Sequence, residues 1–91
     1  MDAASPVYQV VFRIVRPVSG EEFHVVAIWS ARPLGNHWAC EVAMTEFGSR
    51  KVIRGATARQ ALALARTFVK ISYSGLQKTN MRGKPFRWPR A

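Results

Sequence analysis

The sequence has little cysteine, few acidic residues and no long apolar run. Cys40 is the only cysteine among 91 residues, so no internal disulfide can form, and with His24 and His37 it gives no ligand spacing typical of a zinc site. The longest uncharged apolar run, residues 23–31, is less than half of the about 20 residues needed to cross a membrane. No cationic segment precedes an apolar one at the N-terminus, so we expect no signal peptide. These absences predict a cytoplasmic protein with no cofactor, metal or membrane partner.

Residue types that carry catalysis are also scarce. Glu21 and Glu22 are adjacent beside a predicted hairpin turn and therefore point to opposite faces of a strand, which is typical of solvated charge. Cys40 alternates with apolar residues, which favours a buried, unreactive thiol. His37 is interpreted as a polar residue at the start of a strand. Because no Ser/His/Asp arrangement and no phosphate-binding glycine pattern is present, we expect a protein that is not an enzyme.

Acidic residues stop at Glu46, whereas eleven of the fourteen lysines and arginines lie in residues 47–91. Cations without acidic partners repel one another, and an anionic surface would relieve that repulsion. Solubility alone is the alternative explanation.

At this length we expect one domain with a thin core.

Alternating apolar residues predict four short strands, at residues 8–15, 23–29, 38–44 and 50–54. A Pro-Val-Ser-Gly turn joins the first two strands, and a longer loop covers residues 30–36. Because each connection is short, the strands should form an antiparallel meander.

One helix is predicted after Gly55. Thr57 is a preferred N-cap residue, and Gln60 three residues later completes a capping box. Gly75 suits the C′ position. The expected buried stripe is Ala61, Leu64, Ala65, Phe68 and Ile71, widened by Leu62 and Val69, and the expected outer face is Arg59, Ala63, Arg66, Lys70 and Gln77.

The predicted fold class is therefore α+β, a four-stranded antiparallel meander with one amphipathic helix packed on one face (ββββα). Residues 1–77 form the domain. Residues 78–91 form a basic tail that contains Pro and Gly together with Phe86 and Trp88. This segment is either a flexible tail or an extended strap held by its two aromatic residues.

Three features could bind phosphate. The helix N-terminus has unpaired backbone N–H groups, with Arg54 and Arg59 nearby but no acid, and Gly55 would let an anion approach the backbone. Thr57 and water are the alternative partners for these N–H groups. The helix face and the tail supply further cations, and Trp88 could stack on a base or dock on the domain. The predicted contact set is Arg50, Arg54, Arg59, Arg66, Lys70, Arg82, Lys84, Arg87 and Trp88.

One helix covers one face of a sheet, yet the first two strands carry apolar residues on both faces. Val11, Val26 and Ile28 are assigned to the second face. A second copy of the chain or the aromatic tail would cover that face, so a homodimer is one expected assembly.

The segment from Trp38 through Ile71 resembles small uncharacterised bacterial domains with a Trp-x-Cys strand (Trp38, Cys40), a glycine (Gly55) and a Gln-Ala-Leu helix (residues 60–62). It resembles more loosely the partial RNase H-like domain of HicB-type antitoxins. That resemblance implies a non-catalytic fold and a protein partner. Unlike that family, the chain has Gln60 in place of an acidic residue, and no helix-turn-helix or ribbon-helix-helix follows the helix.

Together these observations predict a non-catalytic module that binds nucleic acid or has a regulatory role through its basic second half. The alternative is a protein–protein interaction module, such as an antitoxin-like or phage-type inhibitor, with an acidic protein partner.

Overall fold

A computed structural model describes residues 5–18, 20–45, 48 and 50–89. Within them the chain forms six strands and one helix. In chain order these are β1 (Tyr8–Arg16), β2 (Gly20–Ile28), β3 (Arg32–Leu34), β4 (His37–Met44), β5 (Arg50–Gly55), α1 (Ala58–Ser72) and β6 (Gln77–Thr79). The α+β class with an antiparallel sheet and one helix is confirmed, but the sheet has six strands rather than four. In the described part of the chain, no helix has the length and apolar character to span a membrane.

The predicted meander is present as β1, β2, β4 and β5, each antiparallel to the next. The additional strand β3 continues β2 along the same edge of β4, because β5 occupies the other edge. The register moves by one residue between the pairs Ile28↔Val42 and Arg32↔Ala39. That shift is a β-bulge, which bends the strand where the sequence had suggested only a loop.

The sheet face that packs against α1 is called the inner face, and the opposite one the outer face. Tyr8, Val10, Phe12 and Ile14 of β1 alternate into the inner face and are all buried. This alternation confirms the period of two in β1. The inner-face residues of β2 and β4 that complete the core are Val26, Ile28, Cys40, Val42 and Met44.

The assignment of Val26 and Ile28 to an uncovered second face was wrong. Val26 pairs with Val10 and Ile28 with Tyr8, so both lie on the inner face with no exposed surface. Alternation fixes the faces within one strand, but the register between two strands decides which faces coincide. Val11 is on the outer face, where it is 42% exposed.

Thr57 is the N-cap of α1, and its side chain accepts a hydrogen bond from the Gln60 backbone N–H at 3.0 Å. The Gln60 side chain accepts from the Ala56 backbone N–H, so the predicted reciprocal cap is present with its second bond one residue earlier. The helix ends at Ser72, and Gly75 beyond it has a φ of +80°. The helix thus begins as predicted, but with Tyr73 as its C-cap the C′ position is Ser74, so Gly75 lies one residue beyond the expected position.

The rotation of α1 differs from the prediction. Ala61, Ala65 and Val69 are the buried residues of the helix, whereas Leu64 and Ile71 are exposed. Small side chains face the sheet because the helix lies close to it. An added Cβ on Gly55 of β5 would lie 2.5 Å from the Ala61 nitrogen.

Residues 80–89 are called the strap. Before it, β6 pairs with β1 across the expected boundary between domain and tail. Phe86 and Trp88 then pack on Phe12, with ring centroids 4.7 and 5.5 Å away, and Trp88 also contacts Tyr73 at 6.3 Å. Of the two alternatives for this segment, the structure shows the strap held by its aromatic residues.

Candidate nucleic-acid interface

Each acidic residue in the described ranges is paired with an arginine of the sheet. The pairs are Glu21–Arg13 at 3.4 Å, Glu22–Arg16 at 2.9 Å and Glu41–Arg50 at 3.4 Å. Glu21 and Glu22 do point to opposite faces, as expected, but each is matched by its own cation instead of by solvent alone. No acidic side chain of the described residues is therefore left for the cations of the helix and the strap.

Six cations of α1 and the strap make up what is called the α1–strap surface: Arg59, Arg66, Lys70, Arg82, Lys84 and Arg87. None of them forms an ion pair among the described residues, and all except the half-buried Arg66 are exposed. Lys78 is not a member, because its Nζ donates hydrogen bonds of 2.8 Å to the Tyr73 and Leu76 carbonyls and so completes the helix C-terminus.

Tyr8 connects the helix to the strap. The Arg66 guanidinium carbon is 5.4 Å from the centroid of its ring, and its hydroxyl donates a long hydrogen bond of 3.5 Å to the Pro89 carbonyl. Burial raises the pKa of the Tyr8 hydroxyl, and the charge of Arg66 partly opposes that shift. Tyr8 therefore stays neutral, and the cationic edge of α1 runs beside the strap.

Arg66 is also incompletely satisfied. Its Nε is buried and has no acceptor among the described residues. A buried guanidinium nitrogen without an acceptor is costly, and the remaining N–H groups of Arg66 form no ion pair with a described acidic residue, so they can donate to an external anion.

The strap begins with a tight turn that displays two cations. The Asn80 side-chain oxygen accepts hydrogen bonds from the backbone N–H groups of Arg82 (2.9 Å) and Lys84 (3.0 Å). The Asn80 backbone N–H donates to the Lys84 carbonyl at 2.8 Å, and Gly83 takes a φ of +80°. Both side chains are exposed on a turn whose backbone is internally bonded.

Arg50 and Arg54 are separated from this surface. Both lie on the outer face of β5, since they pair with Ala43 and Ala39 of β4. The Arg50 guanidinium lies 3.9 Å from the centroid of the Trp29 ring as well as against Glu41. The predicted contact set is thus divided between two faces of the molecule, and a single straight phosphate backbone cannot contact all of it.

Trp88 packs against aromatic residues of the domain and the strap. Its ring is half-buried and packs edge-to-face on Phe12 and on Phe86, whose centroid is 5.1 Å away. These contacts dock the strap on the domain, and stacking of a base on the half-exposed ring stays a prediction.

At the helix N-terminus the Thr57 side chain accepts from the Gln60 N–H, and the Gln60 side chain accepts from the Ala56 N–H just before the helix. Gly55 is required because α1 lies against it, with the Ala61 Cα 2.8 Å from where its Cβ would be. Close packing, not the approach of an anion, explains this glycine.

A buried polar chain was not foreseen from the sequence. His24, only 3% exposed, makes hydrogen bonds of 3.1 Å through Nδ1 with the buried Tyr73 hydroxyl and through Nε2 with the Glu22 carboxylate. The His24 hydrogen bond, followed by that of Arg16, lowers the pKa of Glu22. The one signal in the sequence is a histidine at an inward position of an apolar strand. This row of hydrogen bonds gives the hydroxyl of the buried Tyr73 a partner and connects it to the Glu22 carboxylate.

Cys40 is buried, as expected. Its Sγ–H donates to the Trp29 carbonyl at 2.9 Å, and burial raises the pKa of the thiol. Across the described ranges, no three His, Cys, Asp or Glu residues group closely enough to hold a metal ion.

Comparisons with family models, with curated proteins and with solved structures give no match to this chain.

Proposed function

We propose that this protein binds nucleic acid by phosphate contacts of the α1–strap surface and performs no catalysis. One observation carries the proposal: the described acidic residues are matched to sheet arginines, while six cations of the helix and the strap have no partner among those acids. A polyanion is the natural complement of such a surface.

The dimensions of α1 suit a nucleic-acid backbone. Arg59 and Lys70 are separated by eleven helical residues, which at a rise of 1.5 Å per residue is about 17 Å. A duplex of that length presents about five phosphates per strand. Arg66 lies between the two, and the strap, which carries Arg87, meets Tyr8 through the Pro89 carbonyl beside this flank of the helix.

The contacts described above involve side chains suited to phosphate, so we expect binding without strong base preference. If all six cations neutralise phosphates, the logarithm of the affinity for duplex DNA should fall against the logarithm of salt concentration with a slope of about −5. An affinity that does not change with salt would refute the proposal.

A matched pair of double variants tests the location of the site. R59Q/K70Q removes two cations from the α1–strap surface, and R32Q/R54Q removes two exposed cations from the outer face, so both lower the net charge equally. We expect R59Q/K70Q to reduce the salt slope by about 2 and to weaken binding, whereas R32Q/R54Q should leave the slope nearly unchanged. Equal effects of the two variants would mean that binding depends on net charge and not on this surface.

An acidic protein is the second candidate partner, favoured by the outer-face position of Arg50 and Arg54 away from the α1–strap surface. Weak, diffuse nucleic-acid binding beside a stoichiometric protein complex would support that function.

A further inference from the structure

Strand β5 has a free edge. Among the described residues it pairs only with β4. The Glu41 carbonyl accepts a hydrogen bond from the Trp29 N–H, so Glu41 directs its backbone groups away from β5. Its partner Val52 must then direct its own N–H and C=O away from β4, and by alternation Arg50 and Arg54 do the same. Three residues of β5 thus offer backbone hydrogen-bonding groups to an added strand.

Helix α1 carries apolar residues on the flank nearest that edge. At 100° per residue, Leu64, Phe68 and Ile71 form a flank opposite the one on which Arg66 approaches Tyr8 of β1. The helix packs on β5 and β4, so this flank faces outward past β5. Leu64 is 43% and Ile71 67% exposed. The helix layer is therefore wider on this side than the sheet below it.

The charges of β5 indicate what the added strand is. The side chains of Arg50 and Arg54 lie on the outer face, and the backbone groups of both residues point towards the added strand. Lys51 lies on the inner face. A second copy paired two-fold about Val52 would bring Arg50 opposite Arg54, and like charges directly opposite destabilise a strand pair. Acidic side chains at the same positions would instead be attracted, chiefly by Arg54, because Arg50 is already paired with Glu41.

We infer that the free edge of β5 binds an extended, acidic segment of a partner protein as an added strand. Side chains opposite Arg50 and Arg54 share the outer face with them and are acidic. Side chains opposite Lys51 and Ile53 point to the inner side and are apolar, where they contact Leu64 and Ile71. Backbone hydrogen bonds supply the pairing, and the alternation of acidic and apolar residues supplies specificity. The site is separate from the α1–strap surface and does not depend on nucleic-acid binding.

A short peptide reproduces this pattern. A soluble peptide with the core Glu-Val-Thr-Val-Glu places its acids opposite Arg50 and Arg54 whichever way the strand runs. Titrated into the ¹⁵N-labelled full chain, it should bind with a dissociation constant of about 1 mM or lower and shift the amide signals of β5 and of the Leu64 flank. A peptide with the core Lys-Val-Thr-Val-Lys and one with the core Glu-Thr-Thr-Thr-Glu should bind at least about tenfold more weakly, because the first reverses the charge and the second removes the apolar side chains that would contact the Leu64 flank.

Two variants of the protein test the mode of binding. Val52→Pro removes one outward N–H and leaves the β4–β5 bonds in place, since Val52 does not bond to β4. We expect it to weaken peptide binding about tenfold, the equivalent of one lost hydrogen bond. Arg54→Glu should weaken the acidic peptide and strengthen the lysine peptide. Amide spectra that keep the β4 signals of the wild type establish that both variants are folded.

Three results would overturn the inference. The first is that the acidic peptide does not bind, and the second is that it binds Val52→Pro as tightly as the wild type, which would indicate diffuse electrostatic attraction. The third is that sedimentation shows the protein alone to be a dimer which Val52→Pro dissociates, so that a second copy occupies the edge. Each of these outcomes leaves the salt-slope comparison on the α1–strap surface unaffected.

Discussion

Gly55→Ala tests how closely α1 lies on β5. The added Cβ would be 2.5 Å from the Ala61 nitrogen and 2.8 Å from its Cα, and these are backbone atoms that cannot rotate away. The helix would have to retreat by roughly 1 Å, and a gap of that size forfeits a quarter to a half of each van der Waals contact across it. The contacts at risk are those of Ala61, Ala65 and Val69, the buried face of the helix.

The expected cost follows from two opposing effects. Overpacking of a core costs about 1–3 kcal/mol. Replacing glycine with alanine recovers about 0.4–1 kcal/mol by restricting the unfolded chain, provided that φ is ordinary, as it is at Gly55. We expect a net loss of about 1 kcal/mol in the free energy of unfolding, measured by urea titration, which lowers Tm by roughly 6 °C in a domain of this size.

Gly83→Ala is the control. Gly83 has a φ of +80° and no atom within 4 Å of its would-be Cβ, so this substitution has a backbone cost without a collision. Its spectral changes should stay within the strap turn, whereas those of Gly55→Ala should spread along α1. A Gly55→Ala protein as stable as the wild type, with unchanged helix signals, would refute the close packing of helix on strand.

Other parts of the structure give further predictions. The lowered pKa of Glu22 means that its pairing with Arg16 and His24 stabilises the fold at pH values above the ordinary glutamate pKa of about 4.3. This stabilisation is lost as pH falls through the lower pKa of the folded state. Glu22→Gln should therefore flatten the acid limb of a plot of unfolding free energy against pH, and an unchanged limb would contradict this. Trp88→Ala should cost about 2 kcal/mol of stability, half of a fully buried aromatic, and should make the strap sensitive to protease, whereas a freely exposed indole would cost almost nothing. Cys40 should react with a thiol reagent only as fast as the protein unfolds, and rapid labelling of the native state would show that the thiol is accessible.

Part of the candidate site could be predicted from residue types alone. The absence of acids beyond Glu46 is a property of composition. The folded protein keeps an excess of positive charge on the helix and the strap, because the described acids pair within the sheet. Which cations share a surface was not predictable. Arg54 and Arg59 are five residues apart, yet the first lies on the outer face of a strand and the second on the helix above the inner face.

The rotation of α1 illustrates the same limit. A stripe centred on Leu64 and one centred on Ala65 both fit the helical period, and the larger side chains favour the first. The structure has the second, because only alanines allow the helix to approach Gly55 so closely. Side-chain size along a helix does not reveal the distance to the layer below it, which depends on residues far away in the sequence.

Local chemistry alone determined the four strands β1, β2, β4 and β5 by their alternation, the start of the helix by its Thr57 cap and the excess of positive charge by its composition. Tertiary structure alone decided which faces of β1 and β2 coincide, that the strap docks through Phe86 and Trp88, and that no second strand of the described residues pairs with β5. The physical reason is that alternation and capping act over a few neighbouring residues, whereas strand register, helix rotation and edge pairing are set by contacts between distant parts of the chain.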